Sequence, residues 1–264
     1  MHPPSRFLQA LPALGMLLAL VLAGTGRAED PVDDYLEALR SAGCADLGVE
    51  FLQGRLKSAA LSDEERASYE FEIASLMLEG SRIAPDFAAR EKILAESQRR
   101  FEEFTRTRAN HPRQPEALAE MATVDLQRGR LKTVQAQLPS FSGQVGTLTA
   151  DARSALLRAS AGYEKAYKLI SEARDKLPLP VEDDRNAAKL RKDRSRLFNR
   201  MIDARFQAAY ALFLVAESYR TITPPKGMVE GKDPIRSREK ELEYLKQAEE
   251  RFAAIVTEYR QWLV

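Results

Sequence analysis

Prolines divide this sequence into segments whose apolar residues recur with the period of an α-helix. Past residue 30, prolines lie at Pro31, Pro85, Pro112, Pro115, Pro139, Pro178, Pro180, Pro224, Pro225 and Pro234. A proline lacks the amide hydrogen that a helix interior needs and disfavours helical geometry at the preceding residue, so prolines mark helix ends and starts. Between them apolar residues recur every three or four positions, and no segment alternates at period two over a useful length. The pattern predicts an all-α protein of antiparallel helices.

Local signals in the first half predict where helices begin and end. Asp30-Pro31 places an N-cap acid before a first-turn proline, and Gly43 is the predicted stop of that short helix. Ser62 and Glu65 have the spacing of a capping box, in which each residue satisfies a backbone amide of the other. We therefore expect a helix to begin directly after Ser62.

The sequence of the second half predicts longer helices than that of the first half. Residues 139–147 (PSFSGQVGT) form the clearest loop in the sequence, and Thr149 is the predicted N-cap of the helix that follows. Residues 182–222 contain neither Gly nor Pro and are predicted to form one very long helical segment. Asp233-Pro234 is the predicted start of the last helix.

The N-terminus has the layout of a secretory signal peptide. Residues 7–26 carry no charge, and Gly26 and Ala28 are small residues at the positions that signal peptidase reads. This predicts cleavage after Ala28 and a periplasmic or secreted protein, with no membrane span after cleavage. An uncleaved N-terminal anchor is the alternative, since about 20 uncharged residues just span a bilayer; Pro12 and the small-residue exit favour cleavage.

The predicted organisation has four parts. A signal peptide is followed by an N-terminal helical region, a linker and a C-terminal region of long helices, at residues 1–28, 29–138, 139–148 and 149–264. The apolar period still runs at the last residues, so the sequence leaves open whether the chain continues beyond Val264.

Three segments share one spacing of apolar and small residues, which resembles the second helix of a tetratricopeptide repeat. These residues are Leu94, Ser97, Phe101 and Phe104; Leu156, Ala159, Tyr163 and Ala166; and Leu245, Ala248, Phe252 and Ile255. Residues 116–131 resemble the first helix of a following repeat, with Ala122 and Gly129 at its small positions, although Gly129 is also a candidate break. His111-Pro112 lies where such proteins often carry the inter-repeat proline.

Residues 91–135 thus resemble the repeats of exported bacterial tetratricopeptide-type proteins, including envelope-complex organisers. The resemblance implies a binding scaffold, with an α-solenoid of stacked helical hairpins. It weakens elsewhere, because loop sequence stands where the first helix is expected before Leu156 and Leu245, and no regular repeat period runs through the chain. An elongated helical bundle with long helices in the C-terminal half remains the alternative architecture, because similar spacing occurs in bundles.

The reactive residues are few, which argues against an enzyme. Only His111 and Cys44 remain after signal cleavage, too few for a Cys/His zinc site, and no phosphate loop, zinc-protease helix or nucleophile elbow occurs. His111, beside Pro112 in a polar turn, is interpreted as a solvated loop residue. Adjacent acids such as Glu64-Glu65 are interpreted as polar-face or helix-start residues. We predict no catalytic residues, no cofactor and no metal site.

The net charge gives no global reason to expect nucleic acid as a partner. The chain has 40 basic and 39 acidic residues, and removal of Arg6 and Arg27 with the signal peptide leaves 38 against 39. One local feature stands out: residues 185–205 contain eight bases and two acids. Five of those bases fall on one helical stripe, here named the basic strip: Arg185, Lys189, Lys192, Arg196 and Arg200.

The basic strip has two interpretations. It is either the solvated side of an amphipathic helix, which the nearby acids favour, or a docking strip for an anionic polymer such as an envelope polysaccharide or nucleic acid. Phe198, Phe206, Tyr210 and Phe213 are interleaved with it, but residues 206–216 are apolar nearly all round, so these aromatics are predicted to lie in the core.

The sequence therefore predicts a non-enzymatic scaffold of the bacterial cell envelope or exterior that binds another protein. Binding of an anionic polymer through the basic strip is the alternative. Partner identity and oligomeric state are outside what these residues specify.

Overall fold

The computed structural model describes residues 31–181, 186–220 and 237–262. Within these ranges the chain forms α-helices and short 3-10 helices and no β-strand, which confirms the predicted all-α fold. The α-helices are α1 (Pro31–Ser41), α2 (Ala45–Leu56), α3 (Asp63–Gly80), α4 (Phe87–Thr107), α5 (Gln114–Gln137), α6 (Val145–Lys176), α7 (Ala187–Tyr219) and α8 (Arg238–Trp262). The 3-10 helices are Ser81–Ile83 and Pro139–Gln144.

The chain divides into two compact units, residues 1–42 and 43–264. In the first unit α1 begins at Pro31, as predicted, and Asp33 and Asp34 in its first turn complement the helix dipole. The predicted cap Asp30 lies outside the described residues. Past the end of α1, Gly43 adopts φ of +70°, a left-handed conformation that glycine accepts without strain and that ends helices.

In the second unit each helix packs against its neighbours in the chain. The contacts show antiparallel pairs: Phe71 near the middle of α3 contacts Phe101 and Phe104 near the end of α4, and Tyr219 at the end of α7 stacks on Tyr244 near the start of α8. Short connections between amphipathic helices favour such hairpins.

The capping box at the start of α3 is formed as predicted. The Glu65 amide donates to the Ser62 hydroxyl at 3.2 Å, and the Ser62 amide donates to Glu65 Oε2 at 2.8 Å. Two amides that the first helical turn leaves without intrahelical acceptors are thereby satisfied.

Helix α5 lies between two cores. One side packs with α3 and α4 around Phe71 and Phe101, and another packs with α6 and α7 around Leu156 and Tyr163. Gly129 does not break α5, which runs unbroken through it; a Cβ at this glycine would lie 2.6 Å from Leu156 Cγ. The glycine is therefore required by the close approach of α6.

Two predicted boundaries differ from the structure, and a third lies outside the described residues. Residues 139–144 are a 3-10 helix and α6 already begins at Val145, so the prediction that Thr149 caps this helix is wrong. The long segment 182–222 is helical only over Ala187–Tyr219 among its described residues. The predicted start at Asp233-Pro234 lies outside the described residues; α8 begins at Arg238, and the Lys240 amide donates to the hydroxyl of Ser237 at 3.3 Å.

Candidate functional site

Two arginines of the basic strip pair with acids of α5, although both remain exposed. Arg196 Nη1 donates to Glu116 Oε1 at 2.8 Å, and Arg200 Nη1 lies 3.5 Å from Glu120 Oε1. Lys189 and Lys192 are exposed, and Arg185 lies outside the described residues. Arg196 and Arg200 of the strip therefore have acidic partners on α5, which weakens the field that the strip presents to an external anion.

The same ion pairs connect three alternate helices. Glu116 is only 3% exposed, and its second oxygen lies 3.6 Å from Nε of Arg113, the N-cap residue of α5. Arg113 Nη1 in turn lies 2.7 Å from Glu72 of α3, and its guanidinium lies 3.7 Å from the centre of the Phe71 ring. A network of charged groups thus links α3, α5 and α7, and buried charges persist only when paired in this way.

The prediction that the aromatics of α7 form the core is wrong for Phe206 and Phe213. Their exposed fractions are 46% and 36%, and Phe198 and Tyr210 are half-buried. The buried stripe of α7 consists mostly of small residues instead: Ala204, Ala208, Ala211 and Val215. Small side chains let α7 approach α6 closely, so the larger aromatic side chains are left on another side of the helix.

Three aromatics of α7 form a row, of which Phe206 and Phe213 are exposed and Tyr210 is half-buried. Tyr210 stacks between Phe206 and Phe213, with ring centres 6.3 Å and 6.4 Å apart, which matches their spacing of four and three residues along one helical stripe. The Phe206 ring also lies 5.4 Å from Phe252 of α8. The row therefore continues onto the neighbouring helix.

Helix α8 extends this surface. Its exposed apolar residues share one stripe about 100° wide next to the side that docks on the protein. Leu242 is 49% exposed, Val256 53% and Tyr259 44%, and Tyr259 stacks on Phe198 at 6.5 Å. We name this surface the apolar face; it consists of Phe206, Tyr210 and Phe213 of α7 with Leu242, Phe252, Val256 and Tyr259 of α8.

Polar contacts hold α8 in the orientation that exposes this stripe. Arg251 donates to Glu164 of α6 at 2.7 Å, and Arg205 of α7 donates to Glu258. Arg205 Nη1 also donates to the Tyr167 hydroxyl at 2.8 Å. The Arg251–Glu164 and Arg205–Glu258 ion pairs thus specify the docked side of α8, and the apolar face is the adjacent side.

His111 is not the solvated loop residue that the sequence suggested. Its side chain is only 8% exposed, and its ring lies 5.2 Å from that of Phe104. Nδ1 accepts a hydrogen bond from the Arg113 amide at 3.1 Å, and Nε2 lies 3.3 Å from Glu64 Oε1. The ring therefore closes the turn between α4 and α5 by packing and by a backbone contact.

Within the described ranges, no three or more His, Cys, Asp or Glu side chains are grouped so that they could hold a metal ion. None of the helices in this part of the chain is both long and apolar enough to cross a bilayer. The prediction that the chain has no metal, cofactor or catalytic residue stays a prediction.

Comparison with protein-family models, with curated proteins and with solved structures finds no match to this chain. The functional argument therefore rests on the geometry of the chain itself, and chiefly on the apolar face.

Proposed function

We propose that this chain is a non-enzymatic scaffold of the bacterial cell envelope or exterior, and that its apolar face binds an amphipathic helix of another protein. The observation that carries the proposal is the row of exposed aromatic and aliphatic side chains on α7 and α8. Isolated apolar residues are common on protein surfaces, whereas contiguous rows of them mark interaction sites. Aromatic side chains are also enriched where binding energy is concentrated.

A helix is the occupant that suits this surface. The row on α7 repeats at four and three residues, and α8 offers a parallel stripe one helix away, with Phe206 and Phe252 meeting at 5.4 Å between them. Two adjacent antiparallel helices present ridges and a groove into which the side chains of a third helix pack. Such grooves recognise apolar residues spaced three, four and seven positions apart on the partner.

Contacts between alternate helices support a tetratricopeptide-like stacking of hairpins. Arg196 of α7 contacts Glu116 of α5, and Arg251 of α8 contacts Glu164 of α6. In a solenoid each helix contacts both the next helix and the one after it. The small positions of the resemblance are also used for close packing, since Gly129 faces Leu156 across the α5–α6 pair.

Export is proposed from the sequence alone, because the signal segment lies outside the described residues. Purification from the native host, followed by N-terminal sequencing, should give Glu29 as the first residue. A chain that retains residues 1–28 and sediments with membranes would instead favour the anchored alternative.

The anionic-polymer alternative is less well supported, because Arg196 and Arg200 are paired with acids of α5. Charge reversal at these two arginines would also place acids beside Glu116 and Glu120 and so disturb the fold. A test of polymer binding should therefore change Lys189, which is exposed.

The proposal is tested by affinity capture from the native host with matched variants. Phe213→Ser and Val256→Ser remove apolar side chains from the face without creating a cavity. Val134→Ser is the control, because Val134 is 48% exposed on α5 and does not belong to the face. We expect one protein to co-purify with the wild type and the control and to be depleted at least tenfold with either face variant.

Two results would overturn the proposal. One is co-purification that is equal for all four chains. The other is a wild-type dimer, measured by light scattering, that becomes monomeric in the Phe213→Ser variant, since the face would then be covered by a second copy of the chain.

A further inference from the structure

A cavity opens between the start of α4, the end of α5 and the 3-10 helix Pro139–Gln144, and we name it the α4–α5 cavity. Its volume is about 490 Å³, which lies in the range of sites that hold small organic molecules. Its lining includes two aromatic and four polar or charged residues: Asp86, Phe87, Glu91, Lys132, Gln135 and Phe141. The cavity therefore combines an apolar wall with a few polar groups, as ligand sites commonly do.

The apolar wall consists of two aromatic rings in contact. The centres of the Phe87 and Phe141 rings lie 6.1 Å apart, and the rings meet edge to face at 85°. Phe87 also packs on the core that contains Leu131, so the wall is supported from behind. The face of an aromatic ring is electron-rich and attracts cations, while its area packs against apolar groups. This wall therefore suits an apolar group that carries a positive charge.

Two oxygens of residues that line the cavity lack hydrogen-bond donors. Glu91 Oε2 and Gln135 Oε1 are buried and accept no hydrogen bond from the described residues, whereas Glu91 Oε1 accepts one from Arg128 at 2.8 Å. A buried acceptor without a donor is costly. The terminal torsions of Glu and Gln are soft, so a small rotation brings either oxygen to a ligand in the cavity. Since both atoms are acceptors, the group that satisfies them must be a donor.

The cavity distinguishes these two oxygens from other buried atoms without a hydrogen bond. Nε of Arg108 and Nε of Arg113 are also unsatisfied. Each of them lies close to a carboxylate, at 3.5 Å from Glu70 and 3.6 Å from Glu116. Those arginines are therefore explained by the protein's own acids, whereas Glu91 and Gln135 belong to the lining of one cavity.

The charges at the cavity favour a cation. Asp86 and Glu91 contribute two negative charges to the lining, and Lys132 contributes one positive charge. The Asp86 carboxylate is held in place, because its Oδ1 accepts a hydrogen bond from the Ala89 amide at 2.7 Å. The excess of negative charge attracts a cationic ligand and disfavours an anionic one.

We propose that the α4–α5 cavity binds a primary ammonium group carried on an apolar stem. An ammonium group has three donors and no acceptor, which matches the unpaired oxygens of Glu91 and Gln135. The stem packs against Phe87 and Phe141. The group is supplied either by a free alkylamine or by a lysine side chain of a peptide. The site is independent of the proposed protein-binding face, since it lies on other helices.

The direct test titrates the full chain with hexylamine by isothermal calorimetry. Hexanol and hexanoate have the same stem with a neutral and a negative end, and we expect both to bind at least tenfold more weakly than hexylamine. Glu91→Gln should weaken hexylamine binding at least tenfold, because it removes the charge but keeps the shape. Gln135→Glu should strengthen it, because it adds a negative charge at the cavity.

Glu103→Gln is the matched control. Glu103 is an exposed acid of α4 that is paired with an arginine, as Glu91 is, but it lies more than three turns further along the helix. We expect this variant to bind hexylamine within twofold of the wild type. Circular dichroism of each variant shows that the fold is retained.

A second titration separates the two sources of the ammonium group. It uses a blocked five-residue peptide with a central lysine, against the same peptide with norleucine. Tighter binding of the lysine peptide than of hexylamine identifies a lysine side chain as the source, and weaker binding identifies a free amine. The proposal is overturned if hexylamine binds no better than hexanol or hexanoate, if Gln135→Glu weakens its binding, or if Glu103→Gln weakens it as much as Glu91→Gln.

Discussion

At the scale of single residues, Glu120 shows how burial disfavours the charged form of a carboxyl group. Burial is the main cause that raises the pKa of Glu120, and Arg200 offsets it only in part. Nearby Asp203 and Glu116 raise it further. An acid whose pKa is higher in the folded than in the unfolded chain destabilises the fold once it is ionised.

Glu120→Gln should therefore stabilise the protein at neutral pH. Below the unfolded pKa, taken as 4.5, both states hold the proton and the substitution should change little. As the pH rises through the window between that value and the folded pKa, the wild type loses stability and the variant does not. The gain is about 1.4 kcal/mol for each unit by which the folded pKa is raised. Urea unfolding at pH 4 and pH 8 checks this; a variant that is less stable than the wild type at pH 8 contradicts it.

Residue environments were only partly predictable from the sequence. The buried positions Leu94, Phe101 and Tyr163 follow from helical periodicity. Because residues 206–216 are apolar nearly all round, the sequence predicts that Phe206 and Phe213 lie in the core. Such a segment does not reveal which side is covered, and here alanines spaced four and three residues apart form the buried stripe. His111 was missed because packing on Phe104 is a tertiary contact.

At the scale of helices, small residues set how closely α5 and α6 approach. A Cβ added at Gly162 of α6 would lie 2.9 Å from Ala122 Cβ of α5, too close for a real contact. Neither atom can rotate away, because each is fixed to its backbone. The helices would have to separate, with loss of packing on both sides.

Gly162→Ala and Gly54→Ala should therefore have opposite effects. Alanine favours helix over glycine by up to about 1 kcal/mol. Gly54 of α2 has no heavy atom within 4 Å of an added Cβ, so its substitution should raise stability by about 0.5 kcal/mol. At Gly162 the strain of overpacking, about 1–3 kcal/mol, outweighs that gain. Thermal unfolding of both variants is the measurement, and equal stabilisation would show that the helices are not in close contact.

Helix existence was easier to predict than helix boundaries. Ser62 and Glu65 predict the start of α3, because a capping box is a contact between residues close together in the sequence. Thr149 has a side chain suited to capping α6. However, Pro139–Gln144 forms a 3-10 helix, and α6 begins directly after it at Val145. Glycines in residues 139–147 suggested a loop, yet the packing of α6 against α5 outweighs their weak helix preference.

At the scale of the whole molecule, the proposed function depends on which apolar helix sides other helices of the chain leave uncovered. Periodicity specifies that each helix has an apolar side, but it does not specify which of those sides another helix of the same chain covers. The resemblance of residues 91–135 to tetratricopeptide repeats favoured a binding scaffold without indicating a surface. The structure locates an exposed apolar row on α7 and α8, and it pairs two arginines of the basic strip with acids of α5.

The most direct test of the central claim is site-specific photo-crosslinking in the native host. A photoreactive amino acid is placed singly at Phe206, Phe213 and Val256, and at Val134 as the control. The account predicts that the three face positions crosslink to one partner protein, at residues three, four or seven apart on a single helix, and that Val134 does not. Crosslinks only to a second copy of this chain, or to partner residues that alternate as in an extended strand, would contradict it.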